Sequence, residues 1–133
     1  MRVSESPAFL EAVANHPRVF PHVRSPIDPF QFGAAWLECL AVEWDTGGVV
    51  FHRRGDEWQA HLLFLPRTPD VLDKCREALA YAYGNGAEVV TGEIPEHLKH
   101  ACRVAGALLH HEHTTDGLAH YRLTRADWHK ERP

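Results

Sequence analysis

The sequence has no long hydrophobic run, no run of charge of one sign and little sulfur. Its 133 residues contain no apolar stretch near the roughly 20 residues that a membrane-spanning helix needs. Met1, Arg2, Val3, Ser4, Glu5, Ser6 and Pro7 lack the apolar core of a signal peptide, so a cytoplasmic protein that does not enter a membrane is expected. The three cysteines, Cys39, Cys75 and Cys102, form no C-x-x-C pair, which argues against a disulfide framework or a zinc ribbon. They read as small buried hydrophobes. With 14 basic and 18 acidic residues the net charge is −4 with His neutral, and the basic footprint of a nucleic-acid binder is missing. No G-x-S-x-G, Ser-His-Asp signature or phosphate-binding P-loop occurs, which removes the common hydrolase and NTPase chemistries. No internal repeat, low-complexity tract or linker divides the chain, and its length predicts one domain over residues 1–133.

What the sequence does have is a globular balance, 44% hydrophobic and 24% charged, and many histidines. Protonating all 11 of them would carry the net charge from −4 to +7, so acid is expected to unsettle the fold.

The pattern changes along the chain. Phe9, Leu10 and Val13 recur at helical spacing over Pro7 to Ala14, with Ser6 as a cap and Pro7 in the first turn. The proline-dense stretch from Pro17 to Pro29 predicts extended chain or loop. Three strands follow, Glu38 to Asp45, Val49 to Arg54 and Glu57 to Leu65, separated by the turns Thr46-Gly47-Gly48 and Gly55-Asp56, an antiparallel meander. Pro66 ends the third strand. Val71, Leu72, Cys75, Ala78, Leu79 and Ala82 then mark a helix from Pro69 to Tyr83, capped by Thr68 and stopped by Gly84-Asn85-Gly86. Ala87 to Glu93 reads as a strand parallel to Glu57 to Leu65, which makes one βαβ unit. A helix over Glu96 to Ala105, stopped at Gly106, and a hairpin of Ala107 to His113 with Leu118 to Thr124 complete the chain.

This order of elements resembles the GNAT acyltransferase superfamily, and local sequence supports the resemblance between Trp36 and Trp128. His61-Leu62-Leu63-Phe64-Leu65-Pro66, Ile94-Pro95, Gly106-Ala107 and Leu123-Thr124-Arg125-Ala126-Asp127-Trp128 are similar to segments of small GNAT-like proteins of phage and bacterial genomes, as is Asn15-His16-Pro17-Arg18-Val19-Phe20-Pro21. The resemblance implies an α/β (α+β in some schemes) three-layer domain, a mixed, mostly antiparallel sheet with flanking helices. It also implies that acetyl-CoA lies where the two parallel strands splay apart, contacting Leu63, Phe64, Leu65, Arg67, Thr68, Asp70 and Val71. Backbone N–H groups after the strand and at the next helix start would cradle the diphosphate.

At this point the chain departs from the family pattern, which is Arg or Gln, two residues, Gly, one residue, then Gly or Ala. Pro66-Arg67-Thr68-Pro69-Asp70-Val71-Leu72 contains no glycine, carries a proline that lacks an N–H, and places an aspartate near the expected anion. The tyrosine that many members use to protonate the departing thiolate is absent from Glu96 to Gly106, leaving His97, His100 and Cys102 as proton carriers there. His61, on the acceptor side, is the candidate general base. Two readings follow: an N-acyltransferase moving an acetyl group from acetyl-CoA to an amine, ranked first, and a non-catalytic GNAT-fold binding or structural protein, of phage origin, that has lost the cofactor. The acceptor is not identified by sequence, and a homodimer through the terminal hairpin or an exposed strand edge is a further expectation.

Other residues carry weaker signals. His52 and His61 fall on one face if Gly55-Asp56 is a two-residue turn. A four-residue turn at Thr114 to Gly117 would place His111, His113 and His120 on one patch, either a metal site or a surface cluster. No established zinc spacing is matched, and no metal is expected.

Overall fold

Residues Met1 to Glu131 are described by a computed structural model. In chain order the elements are β1 (Arg2–Val3), α1 (Ala8–Ala14), α2 (Phe20–Val23), a 3-10 helix (Gly33–Glu38), β2 (Cys39–Trp44), β3 (Gly47–Arg54) and β4 (Glu57–Phe64). There follow α3 (Val71–Gly84), β5 (Val89–Pro95), α4 (Lys99–Leu108), β6 (His110–Thr115), β7 (Leu118–Thr124) and α5 (Arg125–Glu131). The strands form one sheet in the order β1-β2-β3-β4-β5-β7-β6, and only β4 and β5 pair parallel. This is the expected mixed α/β architecture, a mostly antiparallel sheet with helices on its faces.

The meander forms as its alternation predicts, but its first turn is shorter. Trp44 pairs with Gly47 around Asp45-Thr46, so both glycines lie inside β3. A Cβ on Gly47 would sit 2.1 Å from the Leu63 carbonyl oxygen, and one on Gly48 would sit 2.2 Å from that of Val42. The glycines therefore let three backbones approach closely where β3 begins, rather than bending the chain.

Side chains alternate across the sheet and divide its core in two. On one face Val49, Phe51, Trp58 and Val90 pack under α3 and α4, against Cys75, Leu79 and Val104. On the other, Ala41, Val50 and Leu63 pack under Leu10, Val13 and Ala14 of α1. The amphipathic α1 thus covers the half of the sheet that the longer helices leave open. α5, which periodicity did not predict, stacks Trp128 on Tyr83 at 5.4 Å, and the Tyr83 hydroxyl donates to the Leu123 carbonyl at 2.6 Å. That bond satisfies a buried hydroxyl and joins α3 to β7.

Several boundaries differ from the sequence reading. The Pro17 to Pro29 stretch contains α2, with Pro21 in its first turn, ended by a left-handed Arg24. β5 runs two residues beyond Glu93, and α4 begins at Lys99 and continues through Gly106. Thr68 does not cap α3; its hydroxyl donates to the Leu65 carbonyl at 2.7 Å, and Asp70 occupies the cap position with φ 56° and no side-chain cap bond.

The terminal hairpin closes on a two-residue turn, Asp116 and Gly117, both left-handed (φ 53° and 77°). This pairs His113 with His120, and an irregularity between His111 and His113 pairs His111 with Tyr121 instead. The extra residue moves His111 to the opposite face from His113. His113 stacks on His120 at 4.4 Å while His111 meets the Tyr121 ring edge at 5.4 Å, so the three-imidazole patch does not form.

Candidate functional site

Among the described residues the one parallel contact in the sheet is short. β4 and β5 pair at Glu57 with Val89, Trp58 with Val90 and Gln59 with Thr91, and the ladder stops there. Each strand is held along its whole length by its outer neighbour, β4 by β3 through eight residue pairs and β5 by β7 through seven. The two antiparallel ribbons diverge with sheet twist, and beyond Gln59 the backbone groups that β4 and β5 turn toward each other have no strand partner.

The divergence opens a cavity of about 340 Å³ that passes through the sheet. On the α3/α4 side its walls are apolar, among them Leu62, Cys75, Leu79, Ile94, Leu98 and Val104. On the α1/α2 side they include Val19, Phe30, Phe32 and Leu63 and carry the titratable groups His22, Cys39, His52, His61 and Glu93. Chemistry is thus confined to one end of an otherwise greasy passage.

His61 stands at this end. As the alternation predicts, it shares a face with His52, which pairs with Gln59 one step along the sheet. Its ring keeps an exposed surface at the mouth, yet crowding by protein pushes its pKa below the ordinary imidazole value. The neighbouring His52 and Arg54 lower it further, while Glu93 opposes them. A neutral imidazole with a carboxylate across the gap is the arrangement of a proton acceptor at neutral pH. Glu93 also lies 3.8 Å from His120 on β7. The Nε2 atom of His52 is buried without a hydrogen-bond partner, 3.8 Å from the Glu38 carboxylate.

The other residues expected here are placed as follows. Leu63 lines the cavity, and Phe64 packs on Trp44 at 6.1 Å. The N–H of Leu65 is taken by the Thr46 carbonyl at 2.9 Å. Val71 opens α3 against the main core. Arg67 and Asp70 are exposed in the loop and both are left-handed, with φ 65° and 56°. If Arg67 opens the family pattern, Asp70 stands at its first glycine position, so the loop keeps the glycine-like turn without the glycine. The Lys74 ammonium donates to the Pro69 carbonyl at 2.7 Å and adds a second cation beside Arg67.

His97 lies in the turn before α4 rather than on it, exposed, 6.2 Å from the His22 ring, and does not line the cavity. Cys102, on α4, points its thiol toward the Pro95 carbonyl at 3.7 Å and is also off the cavity wall. Neither is brought to His61. Tyr121, which the sequence reading did not single out, reaches α4 from β7 and donates to the Cys102 carbonyl at 3.3 Å; burial pushes its phenol up to about 12, so it keeps its proton. Glu93 was also missed: continuing the β4/β5 register past Gln59 and Thr91 puts it opposite His61 across the gap, but the sequence does not give that register. Burial pushes the Cys75 thiol up to about 12 and leaves it unreactive. Among the described residues no group of three or more His, Cys, Asp or Glu is placed to hold a metal ion.

No known family profile and no curated protein sequence matches the chain. Solved structures do. Aminoglycoside acetyltransferase AAC(6')-Ib, in complex with coenzyme A and kanamycin, is similar with a TM-score of 0.72 at 13% identity, covering 99% of both chains. Spermidine N-acetyltransferase from Vibrio cholerae, in complex with CoA and spermine, gives 0.66 at 10% identity over 91% of this chain and 90% of that one. A probable GNAT-family acetyltransferase from Chromobacterium violaceum gives 0.60 at 13% identity, over 97% and 86%. At these identities the likeness speaks for the backbone, and with the single parallel pair and its divergence it shows that the chain has the GNAT acetyltransferase fold.

Proposed function

We propose that this protein is an N-acyltransferase that moves an acetyl group from acetyl-CoA to an amine. The observation that carries the reading is the passage through the sheet between β4 and β5, apolar on one side and ending at His61 and Glu93 on the other. Two structures of similar fold were solved with coenzyme A.

The residues present fit such a cofactor in most respects. The unpaired edge of β4 offers backbone groups to a pantetheine amide along Leu63 and Phe64, while Leu65 at the strand end, its N–H held by Thr46 and its carbonyl by Thr68, would contribute its side chain. Arg67, Thr68, Asp70 and Val71 would meet the diphosphate at the start of α3, helped by the Lys74 ammonium. When bound, acetyl-CoA supplies the acyl carbon that the amine nitrogen attacks and a thiolate that leaves and takes up a proton. The chain's own part is at the acceptor. His61 accepts a proton from the ammonium form of the amine, Glu93 holds that cation at the mouth, and the apolar walls exclude water from the reacting centre.

The test is thermal unfolding with and without acetyl-CoA, paired with release of free thiol when amines are added. Cofactor at about 100 times its dissociation constant adds about 2.7 kcal/mol. For a domain of this size that raises Tm by on the order of 10 °C. No shift at millimolar acetyl-CoA overturns the reading.

The Asp70 carboxylate is the one loop group that opposes a diphosphate. Asp70→Gly keeps the left-handed turn and removes the charge, and is expected to tighten coenzyme A binding by about tenfold, measured by titration calorimetry. Equal or weaker binding by that variant would mean that the diphosphate does not sit on this loop.

A further inference from the structure

We infer that the acceptor is a small primary monoamine with an apolar, aromatic-sized body, and not a polyamine or an amino sugar. The inference rests on the acyltransferase reading and names the substrate class of the same site.

Size is the first argument. The whole passage holds about 340 Å³, near the lower end of the range for small-molecule pockets, and the acyl group and the end of its carrier must share it. What remains suits one ring and a short arm.

Charge is the second. Among the described residues lining the cavity, Glu93 is the only carboxylate; the other titratable groups on that side are the imidazoles of His22, His52 and His61 and the Cys39 thiol, whose pKa burial raises. One ammonium can pair with Glu93. A second ammonium carried into the passage on the same molecule would have to leave water for apolar walls or for imidazoles that offer no negative charge, and an unpaired buried charge is strongly disfavoured. Spermine and kanamycin, present in two structures of the same fold, are polycations of the kind this wall does not suit.

The third argument is the wall itself. Phe30 and Phe32 line the acceptor side as an edge-to-face pair at 4.8 Å, and Trp36 backs Phe32 at 5.1 Å. This aromatic arm is fixed to α1. The Asn15 amide donates to the Phe30 carbonyl at 2.9 Å and accepts from the Phe30 N–H at 2.7 Å, a strand-like clamp made by one side chain. A rigid aromatic face beside a single carboxylate selects a ring joined to one ammonium.

The experiment compares 2-phenylethylamine, spermidine and kanamycin by titration calorimetry on the full chain, in the absence and presence of coenzyme A, and needs no turnover. The arylalkylamine is expected to bind about tenfold or more tightly than either polycation. Glu93→Gln and Phe32→Leu, one exposed and one conservative, are each expected to weaken it by about tenfold while the polycations change little. Spermidine or kanamycin binding as tightly as 2-phenylethylamine, or no measurable binding of any of the three, overturns the inference. Failure of the acyltransferase reading is seen separately, as the absence of an acetyl-CoA shift while the arylalkylamine still binds.

Discussion

Gly48→Ala is expected to cost this protein about 3 kcal/mol, the upper end of the usual range for overpacked interior sites, because here the backbone must yield. The added methyl would stand 2.2 Å from the Val42 carbonyl oxygen and 3.0 Å from a Leu10 methyl. The first contact is with backbone on the neighbouring strand, so relief requires β2 and β3 to part where Val42 and Val49 are paired and buried. Gly47→Ala adds a second penalty, because its φ of 143° is one that side-chain-bearing residues rarely adopt. Gly84→Ala is the control. It sits at the end of α3 with nothing within 4 Å of the new Cβ, and should leave Tm unchanged or slightly raised. Thermal or denaturant unfolding of the three variants decides the matter. A Gly48→Ala melt equal to wild type would refute the close approach of β2 and β3.

The same two glycines mark where sequence reading reached its limit. Gly-rich breaks between β-branched runs predict a meander, and the meander exists. The residues that turn the chain are Asp45 and Thr46, however, because glycine serves close packing as readily as tight turns. The parallel pairing of β5 with β4 was legible from the intervening helix, since a strand leaving a helix that packs on a sheet most simply returns alongside. The left-handed Arg67 was not legible, since arginine carries no preference for positive φ; Asp70 is of a type enriched there, but its place before a helical run reads first as a favourable charge at the helix start. The hairpin histidines failed for a different reason. An irregularity between His111 and His113 reverses one side chain, and nothing in His110-His111-Glu112-His113 signals it. His61 could be placed on its strand and face by alternation. Glu93, which faces it across the divergence, could not, because the register of β5 against β4 is not written in the sequence.

If His61 takes the proton from the acceptor, His61→Gln is expected to lower kcat/KM by about 10² to 10⁴-fold, the usual contribution of a positioned base. The fold should survive, since the ring keeps an exposed surface at the cavity mouth. A merely structural role would also reduce activity, so the pH profile carries the argument. His61 faces His52 and Arg54 on β3 and Glu93 on β5, with His22 of α2 on the same cavity wall. Crowding, His52 and Arg54 hold its pKa below 6.5, so it is neutral at pH 7 and activity should fall only as pH drops below 6.5 and the ring gains a proton. Glu93 raises the His61 value, so Glu93→Gln should move that acid limb to lower pH. His52 lowers it, so His52→Gln should move the limb upward. Opposite displacements by two substitutions on opposite sides of one imidazole are difficult to obtain from any other titrating group. A limb that persists unchanged in His61→Gln would assign the proton transfer elsewhere.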